Sequence, residues 1–479
     1  MFACAPETAT PAGHAGCLCH RPEIRALTRR LGREMSRRGF VAASLASVAA
    51  PALAQPAAPR PLLLTNFRLF DGTSPALRDG LRVLVQGGRI AALTPGNPAP
   101  PEGAQVIDCG GRTLMPGLID AHWHSLFAGI PLPVLLTADA GYIQLTAAAE
   151  AKRTLLRGFT TVRDAGGPSF ALKQAIDEGL VPGPRIYPSG AMITSTGGHG
   201  DFRPVGDFPS PGGGRSATER TGGSGIADGP DEMRRRVREQ LLQGASQIKL
   251  TTTGGVSTPR SPLDALTLTE GEIRAAVDAA SDWGSYVMVH AYTSAGVARA
   301  VEAGVRCIEH GHLMDEATAA RLAEKGIWLS TQPFGQGDFA PEAAPTTQGE
   351  RDQREVYAGT DRIYTLARRH GVKTAFGSDL LFSAALATRQ GLMLSHLTRW
   401  YSPAEALRMA TATNGELMAM SGPRNPYDGK LGMVEAGAFA DLLLVEGNPL
   451  DNLALLAEPE RNLRLIMKDG QIHKNTLAA

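Results

Sequence analysis

The sequence has little of what marks several large classes of protein. It contains five cysteines in 479 residues, and three of them lie within the first twenty positions. Cys109 and Cys307 are too few to form a disulfide framework in the body of the chain. Aromatic residues make up only 5% and the formal net charge is +1, so we expect no base-stacking surface and no nucleic-acid partner.

Long apolar runs are also missing. The alanine-rich run that starts at Val41 is too short to span a bilayer, and we expect no stable membrane insertion. It follows the charged segment Ser36–Phe40, which resembles a twin-arginine signal, and it ends in the small-residue site Ala52–Ala54. We therefore predict a signal region over residues 1–54, with translation starting at Met35, cleavage after Ala54 and a periplasmic or secreted enzyme. An uncleaved membrane anchor is the alternative.

Short apolar segments alternate with helical segments from Met115 onward, which predicts an α/β protein with a (β/α)8 TIM barrel over residues 115–424. Strand-like segments flank the barrel on both sides. They predict one small β-sandwich domain built from both chain ends, residues 62–114 and 425–479. The eight predicted barrel strands are Gly117–Ala121, Thr160–Val162, Arg185–Ser189, Gln247–Leu250, Tyr286–Val289, Arg306–Ile308, Trp328–Ser330 and Lys373–Phe376.

Histidines and acidic residues are concentrated at the carboxyl ends of these strands. Four of the 11 histidines in the chain fall there, and a lysine and an aspartate close two further strands. Such positions face the active site of a barrel, and residues two apart on a strand point the same way. Imidazole and carboxylate ligands suit zinc or a similar divalent ion. The candidate metal ligands are His122, His124, Lys249, His290, His310 and Asp379.

Four segments of the chain resemble the amidohydrolase superfamily: Met115–His124, Gly158–Asp164, Thr413–Gly415 and Gly429–Asp441. The resemblance extends from about Leu62 to the C-terminus. The branch that it most resembles contains imidazolonepropionase-like and prolidase-like enzymes, including Xaa-Pro and Xaa-Arg dipeptidases and ochratoxin-type amidohydrolases.

This resemblance implies a site with two divalent metal ions, expected to be zinc. It implies that Lys249 carries an N6-carboxyl group that bridges both ions, with a hydroxide between them. One ion would be held by His122, His124, Lys249 and Asp379, and the other by Lys249, His290 and His310. Asp379 would accept the proton of the attacking water and pass it to the leaving amine.

Other residues near the predicted strand ends are candidates for substrate contacts. His199 lies in a glycine-rich turn after the third strand, and we interpret it as a catalytic contact to the substrate carbonyl or oxyanion, with a structural role as the alternative. Tyr292 follows His290 by two positions and would bind a substrate carboxylate, or pack under a loop. Arg163 and Asp164 would form an internal ion pair. The long segments Asp201–Asp231 and Gln332–Arg354 are predicted to be lids over the site, with disordered insertions as the alternative.

The sequence thus predicts an amidohydrolase that uses a metal-bridging hydroxide to cleave C–N amide bonds of small molecules. We expect dipeptides or N-acyl amino acids with a free carboxylate, ochratoxin-type amides included, and a homo-oligomeric enzyme. One alternative is an imidazolonepropionase-like cyclic amidase, although such enzymes generally use one metal and lack the bridging lysine. The other is a non-catalytic barrel that binds a metal or ligand.

Overall fold

The computed structural model describes residues 60–477, apart from 98, 209–213, 335–338, 340–344 and 346. The predicted signal region, residues 1–54, lies outside the described residues. The strands are β1 Leu62–Leu69, β2 Leu81–Gln86, β3 Arg89–Pro95, β4 Gln105–Pro116, β5 Leu118–Trp123, β6 Phe159–Asp164, β7 Arg185–Tyr187, β8 Met192–Thr194, β9 Ser224–Ile226, β10 Ile248–Thr251, β11 Val287–Thr293, β12 Cys307–Leu313, β13 Trp328–Thr331, β14 Thr374–Phe376, β15 Leu442–Val445, β16 Leu463–Lys468 and β17 Gln471–Asn475.

The α-helices lie mainly between the strands from β5 to β14. They are α1 Leu132–Thr137, α2 Ala140–Leu156, α3 Phe170–Asp177, α4 Ala217–Thr221, α5 Pro230–Leu242, α6 Glu270–Ser281, α7 Ser294–Glu302, α8 Glu316–Glu324, α9 Gln348–Ala358, α10 Thr360–His370, α11 Ala384–Ala387, α12 Gln390–His396, α13 Pro403–Arg408, α14 Asn414–Ala419 and α15 Pro459–Asn462. A π-helix, Met409–Thr413, joins α13 to α14.

Several helices begin at a capping box. In this motif a Ser or Thr side chain accepts a hydrogen bond from the backbone N–H three residues later, and the Glu at that later position accepts one from the backbone N–H of the Ser or Thr. Thr269 with Glu272 starts α6 in this way, and Ser402 with Glu405 starts α13. These local sequences set where the helices begin without help from the core. No helix of the described residues is long and apolar enough to cross a bilayer.

Both ends of the described chain contribute to one mixed sheet, with the strand order β17-β16-β15-β4-β1-β2-β3. Alternation along β15 explains how this sheet attaches to the rest of the protein. Leu442 and Leu444 pack in the sheet's own hydrophobic cluster, whereas Leu443 and Val445 point the other way and join the cluster that the helices cover. The strands predicted to form a sandwich are thus one continuous hydrogen-bonded sheet.

The remaining strands run parallel, but the third predicted strand is interrupted. The predicted strand Arg185–Ser189 ends early as β7, which pairs with β6, and a separate strand that was not predicted, β8, follows it and pairs with β10. Between them Gly190 has φ +74°, a left-handed conformation that breaks the ladder. The Gln247 side chain donates to Tyr187 O at 2.8 Å and the Gln240 side chain accepts from Ala191 N at 3.0 Å, so side chains satisfy the backbone there.

The last parallel strand, β14, lies beside the first, β5. Asp379 N donates to His122 O at 2.8 Å just beyond the two strands. The Asn414 side chain, immediately after the π-helix, donates to Ile119 O and Phe376 O at 2.8 Å each and accepts from Phe376 N. These contacts join the first parallel strand, β5, to the last, β14.

We expect Asn414→Ala to destabilise the fold by about 2–4 kcal/mol, because it leaves buried peptide groups of β5 and β14 unsatisfied at roughly 1–3 kcal/mol each. Chemical denaturation monitored by circular dichroism measures this difference. Asn475→Ala, at the end of the exposed strand β17, is the matched control and should change stability by less than about 0.5 kcal/mol. Equal effects of the two substitutions would contradict a role for Asn414 at this seam.

The two segments predicted as lids contain regular structure. The strand β9 and the helix α4 lie within Asp201–Asp231, and the beginning of α9 lies within Gln332–Arg354. Nothing in the sequence indicated β9, because this strand has only three residues, two of which are Ser224 and Gly225, and shows no apolar periodicity. Pairing with β8 stabilises this strand.

Candidate metal centre

The structure brings all six predicted metal ligands to one cavity of about 170 Å³. Each lies on a different parallel strand or directly after one, except that β5 and the residue after it supply two. They are His122 and His124 at β5, Lys249 on β10, His290 on β11, His310 on β12 and Asp379 after β14. This edge of the sheet is where ligands bind in parallel α/β proteins, because loops and strand ends leave side chains free there.

Three of these residues converge on a common point. The Oδ1 atom of Asp379 lies 3.4 Å from Nε2 of His122 and 3.2 Å from Nε2 of His124. This oxygen is buried and accepts no hydrogen bond within the described part of the chain. The ligand atoms of the three residues all lie within 4.8 Å of one another, so the group can bind a metal ion.

Each imidazole of the set is held by one ring nitrogen, which leaves the other for a metal. Because the carbonyl and carboxylate partners can only accept, the bonded ring nitrogen must carry the proton. The bonds are His122 Nδ1 to Glu309 Oε2 at 2.7 Å, His124 Nδ1 to Gly166 O at 2.9 Å, His290 Nε2 to Gly254 O at 2.9 Å, and His310 Nδ1 to the Gln332 amide oxygen at 2.7 Å.

Burial also favours the neutral form that a metal requires. Desolvation is the main cause that holds the pKa values of His122, His290 and His310 well below that of free histidine. A neutral imidazole keeps a lone pair on its unprotonated nitrogen. These rings are therefore ready to act as ligands without first losing a proton.

Lys249 is buried without an anionic partner. Its side chain is 2% exposed, its Nζ lies 3.5 Å from His122 Nε2, and no carboxylate among the described residues is within ion-pair distance. Burial is the main cause that lowers the pKa of its amine. An unpaired ammonium at such a place is costly, whereas a carboxylated lysine beside cations is favourable, so the residues fit a metal-bound form.

His199 and Tyr292, the predicted substrate contacts, both line the same cavity. The His199 ring stacks on His290 with the centroids 4.3 Å apart, and its buried Nδ1 has no hydrogen-bond partner within the described residues. Burial lowers the pKa of His199 to about 3, so its ring is neutral at physiological pH. A Cβ at Gly255 would lie 2.4 Å from His199 Nδ1, so the close approach requires glycine there.

Two of the candidate ligands have left-handed backbone conformations. His310 has φ +79° and Asp379 has φ +52°, in a region that few residues other than glycine occupy. Each such conformation costs roughly 1–3 kcal/mol and persists where the surroundings impose it, most often at functional sites. The strained backbone at both residues indicates that their placement in the cavity serves a function.

Glu309 contacts the site, and the sequence offered no motif for it. It bonds His122 and forms an ion pair with Arg163 at 2.6 Å. The predicted pair of Arg163 with Asp164 is wrong, because consecutive residues of a strand point to opposite faces. Asp164 instead accepts from the backbone N–H of Ser125 at 2.8 Å. The signal that could have indicated Glu309 is an acidic residue inside an apolar strand.

Aromatic side chains surround the metal ligands. Phe127 stacks on His124 and, at 6.1 Å, on Phe382, while Phe334 stacks on Tyr357 at 4.5 Å and on His312. Among the described residues that line the cavity, Lys249 is the one lysine or arginine. The cavity is therefore lined by polar candidate ligands together with apolar aromatic side chains.

Buried imidazoles and a carboxylate at the ends of parallel strands define the class of metal-dependent α/β hydrolases. The Amidohydrolase family profile matches residues 113–473, and the chain belongs to this family. The protein is a hydrolase that acts on amide C–N bonds, and its family is generally metal-dependent.

Solved structures and curated proteins that resemble the chain agree with this assignment. It is similar to the crystal structure of an amidohydrolase, with 38% identity and a TM-score of 0.80 over 87% of this chain and 100% of that one. It is also similar to a prolidase complexed with N-methylphosphonate-L-proline, with 35% identity and a TM-score of 0.79 over the same shares. Ochratoxinase of Aspergillus niger is 29% identical over 374 residues, 75% of each chain. The neighbours imply a TIM barrel with a second domain.

Proposed function

We propose that this protein is a binuclear amidohydrolase of dipeptides or N-acyl amino acids with a free carboxylate. The observation that carries the proposal is the set of four imidazoles, each with one ring nitrogen bonded to an oxygen acceptor, around Asp379 and a buried Lys249 that has no carboxylate partner among the described residues. The prolidase and ochratoxinase relatives support the substrate class. The order of the parallel strands supports a closed barrel.

All six residues that would hold the two ions line the same cavity. By the family resemblance, His122, His124 and Asp379 would hold one ion, His290 and His310 the other, and a carboxylated Lys249 would serve both. When bound, zinc or a similar ion lowers the pKa of water and polarises a carbonyl.

The chain's own groups would then position the substrate and move the proton. Asp379 would face the metal with Oδ1, which lies beside the His122 and His124 nitrogens, accept a proton on its other carboxylate oxygen, and return that proton to the leaving amine. His199 would donate its ring N–H to the carbonyl oxygen. The Tyr292 hydroxyl would donate to the substrate carboxylate. Burial raises the pKa of this phenol well above its ordinary value, so it keeps its proton for that bond.

The aromatic walls favour an apolar side chain on the substrate. Two aromatic pairs line the cavity, Phe127 with Phe382 and Phe334 with Tyr357, and such rings pack well against apolar groups. A charged side chain would lose its hydration there without gaining a partner. We therefore favour substrates with phenylalanine-like or other large apolar groups over substrates with charged side chains.

The alternatives predicted from the sequence are less well supported. A cyclic amidase with one metal leaves Lys249 as a buried, unpaired cation without a function. A non-catalytic barrel has no need for a complete set of ligands together with the strained His310 and Asp379. We also keep the proposal that residues 1–54 direct export, and homo-oligomerisation stays a prediction.

Metal analysis combined with an amide panel tests the proposed function. We expect two divalent ions per chain, and kcat/KM for N-acyl-phenylalanine about 10–100-fold above that for N-acyl-arginine, since burying a large apolar side chain contributes roughly 1.5–3 kcal/mol. Amides that lack the carboxylate serve as the matched control and should react more slowly. Two bound ions with no hydrolysis of any amide would instead favour the non-catalytic barrel.

A further inference from the structure

Glu309 links the metal site to a charged group inside the barrel. The residue is fully buried on β12 and bonds with both carboxylate oxygens. Its Oε2 lies 2.7 Å from His122 Nδ1, while its Oε1 lies 2.6 Å from an Arg163 guanidinium nitrogen and accepts from Cys307 Sγ at 3.0 Å. One carboxylate thus contacts a candidate ligand on one side and a buried cation on the other.

Arg163 is fixed by partners that leave it little freedom. Its Nε donates to Ala121 O at 2.6 Å, and another of its nitrogens donates to the Tyr286 hydroxyl at 3.1 Å. Its side chain is 0% exposed, so its charge needs a buried anion close by. Glu309 supplies that anion, and the pair fixes where the second carboxylate oxygen points.

A competing donor stands at the same nitrogen of His122. The Gln332 side-chain nitrogen lies 3.4 Å from His122 Nδ1. If Nδ1 accepted a hydrogen bond from this amide, the ring proton would move to Nε2, the atom that faces Asp379 and Lys249. A protonated Nε2 cannot bind a metal, so the choice of partner at Nδ1 decides whether His122 can act as a ligand.

We propose that Glu309 is a positioning residue that, supported by Arg163, holds the His122 proton on Nδ1 and turns Nε2 toward the metal. The inference rests on the proposed function, because it takes His122 as a ligand. It assigns the ion pair a role in metal affinity beyond its role in folding. Such carboxylate partners of metal-bound histidines also increase the basicity of the ligand.

Glu309→Gln is the decisive substitution. Arg163 can only donate, so it should draw the amide oxygen and leave the amide NH2 facing His122 Nδ1, which then accepts and puts the proton on Nε2. We expect zinc affinity of the full chain, measured by competition with a chelator, to fall by about 10–100-fold. The visible absorption of the cobalt-loaded protein should change as well, since one imidazole leaves the coordination sphere.

A second variant separates this role from a purely structural one. Arg163→Gln combined with Glu309→Gln removes both charges, so it should recover part of the stability lost in Glu309→Gln without recovering zinc affinity. Glu309→Asp keeps the ion-pair charge but shortens the reach to His122. It should keep the fold and bind zinc more weakly. Zinc affinity that recovers together with the melting temperature, or that is unchanged in Glu309→Asp, would overturn the proposal.

Two further variants keep the outcomes distinguishable. Asp441→Asn breaks a different buried arginine–carboxylate pair, Arg185 with Asp441, and should lower stability without changing zinc affinity. His122→Ala tests the proposed function itself. If His122→Ala keeps both ions, the proposed function fails. If it loses metal while Glu309→Gln retains wild-type affinity, the inference about Glu309 alone fails.

Discussion

Replacing Lys249 by alanine is expected to remove one of two bound metal ions and to lower kcat/KM by roughly 10³-fold or more. The carboxylated lysine would be the ligand common to both ions, and a bound metal supplies several kcal/mol of transition-state stabilisation. The Lys249 side chain is buried beside His122. Among the described residues that line the cavity there is no second lysine or arginine that could replace it. Elemental analysis per chain and kinetics on an N-acyl amino acid measure the two effects.

Two additions make the Lys249 experiment specific. Lys468 is a second buried lysine, in the sheet built from both chain ends, and Lys468→Ala should keep both ions and the activity. A short-chain carboxylate added to Lys249→Ala should restore part of the metal content, because it replaces the missing bridge chemically. Full activity and two bound ions in Lys249→Ala would contradict the binuclear proposal.

The positions of the predicted strands and ligands followed from local patterns. Runs such as Val287–Val289 are apolar because both faces of a parallel strand are covered, and Ile248 and Leu250 flank Lys249 for the same reason. Such runs can be recognised in the sequence before the fold is known. Polar residues that end such runs, His290 among them, are conspicuous for the same reason. Candidate ligands that share one cavity could therefore be proposed from these runs, while the metal-bridging role of Lys249 came from the family resemblance.

What the sequence did not indicate depends on contacts between distant segments. Glu309 lies inside an apolar strand. Its proposed positioning role depends on bonds to Arg163 and His122, which are 146 and 187 residues away in the chain. The interruption between β7 and β8 is likewise stabilised by side chains of Gln240 and Gln247 from later segments. Patterns within a short stretch of sequence cannot indicate partners that lie so far away in the chain.

Asp379→Asn is expected to retain metal and to turn over about 10²–10⁴-fold more slowly than the wild type, the range for losing a general acid–base group. The amide oxygen can still face the His122 and His124 nitrogens, which now lie 3.4 and 3.2 Å from Oδ1. The amide has no basic site for the proton of the attacking water. We therefore expect kcat to fall while KM changes little.

Metal occupancy decides how a slow Asp379→Asn enzyme is interpreted, since Asp379 is also a candidate ligand. Kinetics should be measured at saturating zinc, with the bound ions counted in the same sample. Asp441→Asn, a buried aspartate of the mixed sheet, is the matched control and should leave kcat unchanged. A slow variant with its full metal content supports proton transfer by Asp379, because the loss then lies in the chemical step. Wild-type turnover at full occupancy would remove Asp379 from that role and leave it as a ligand only.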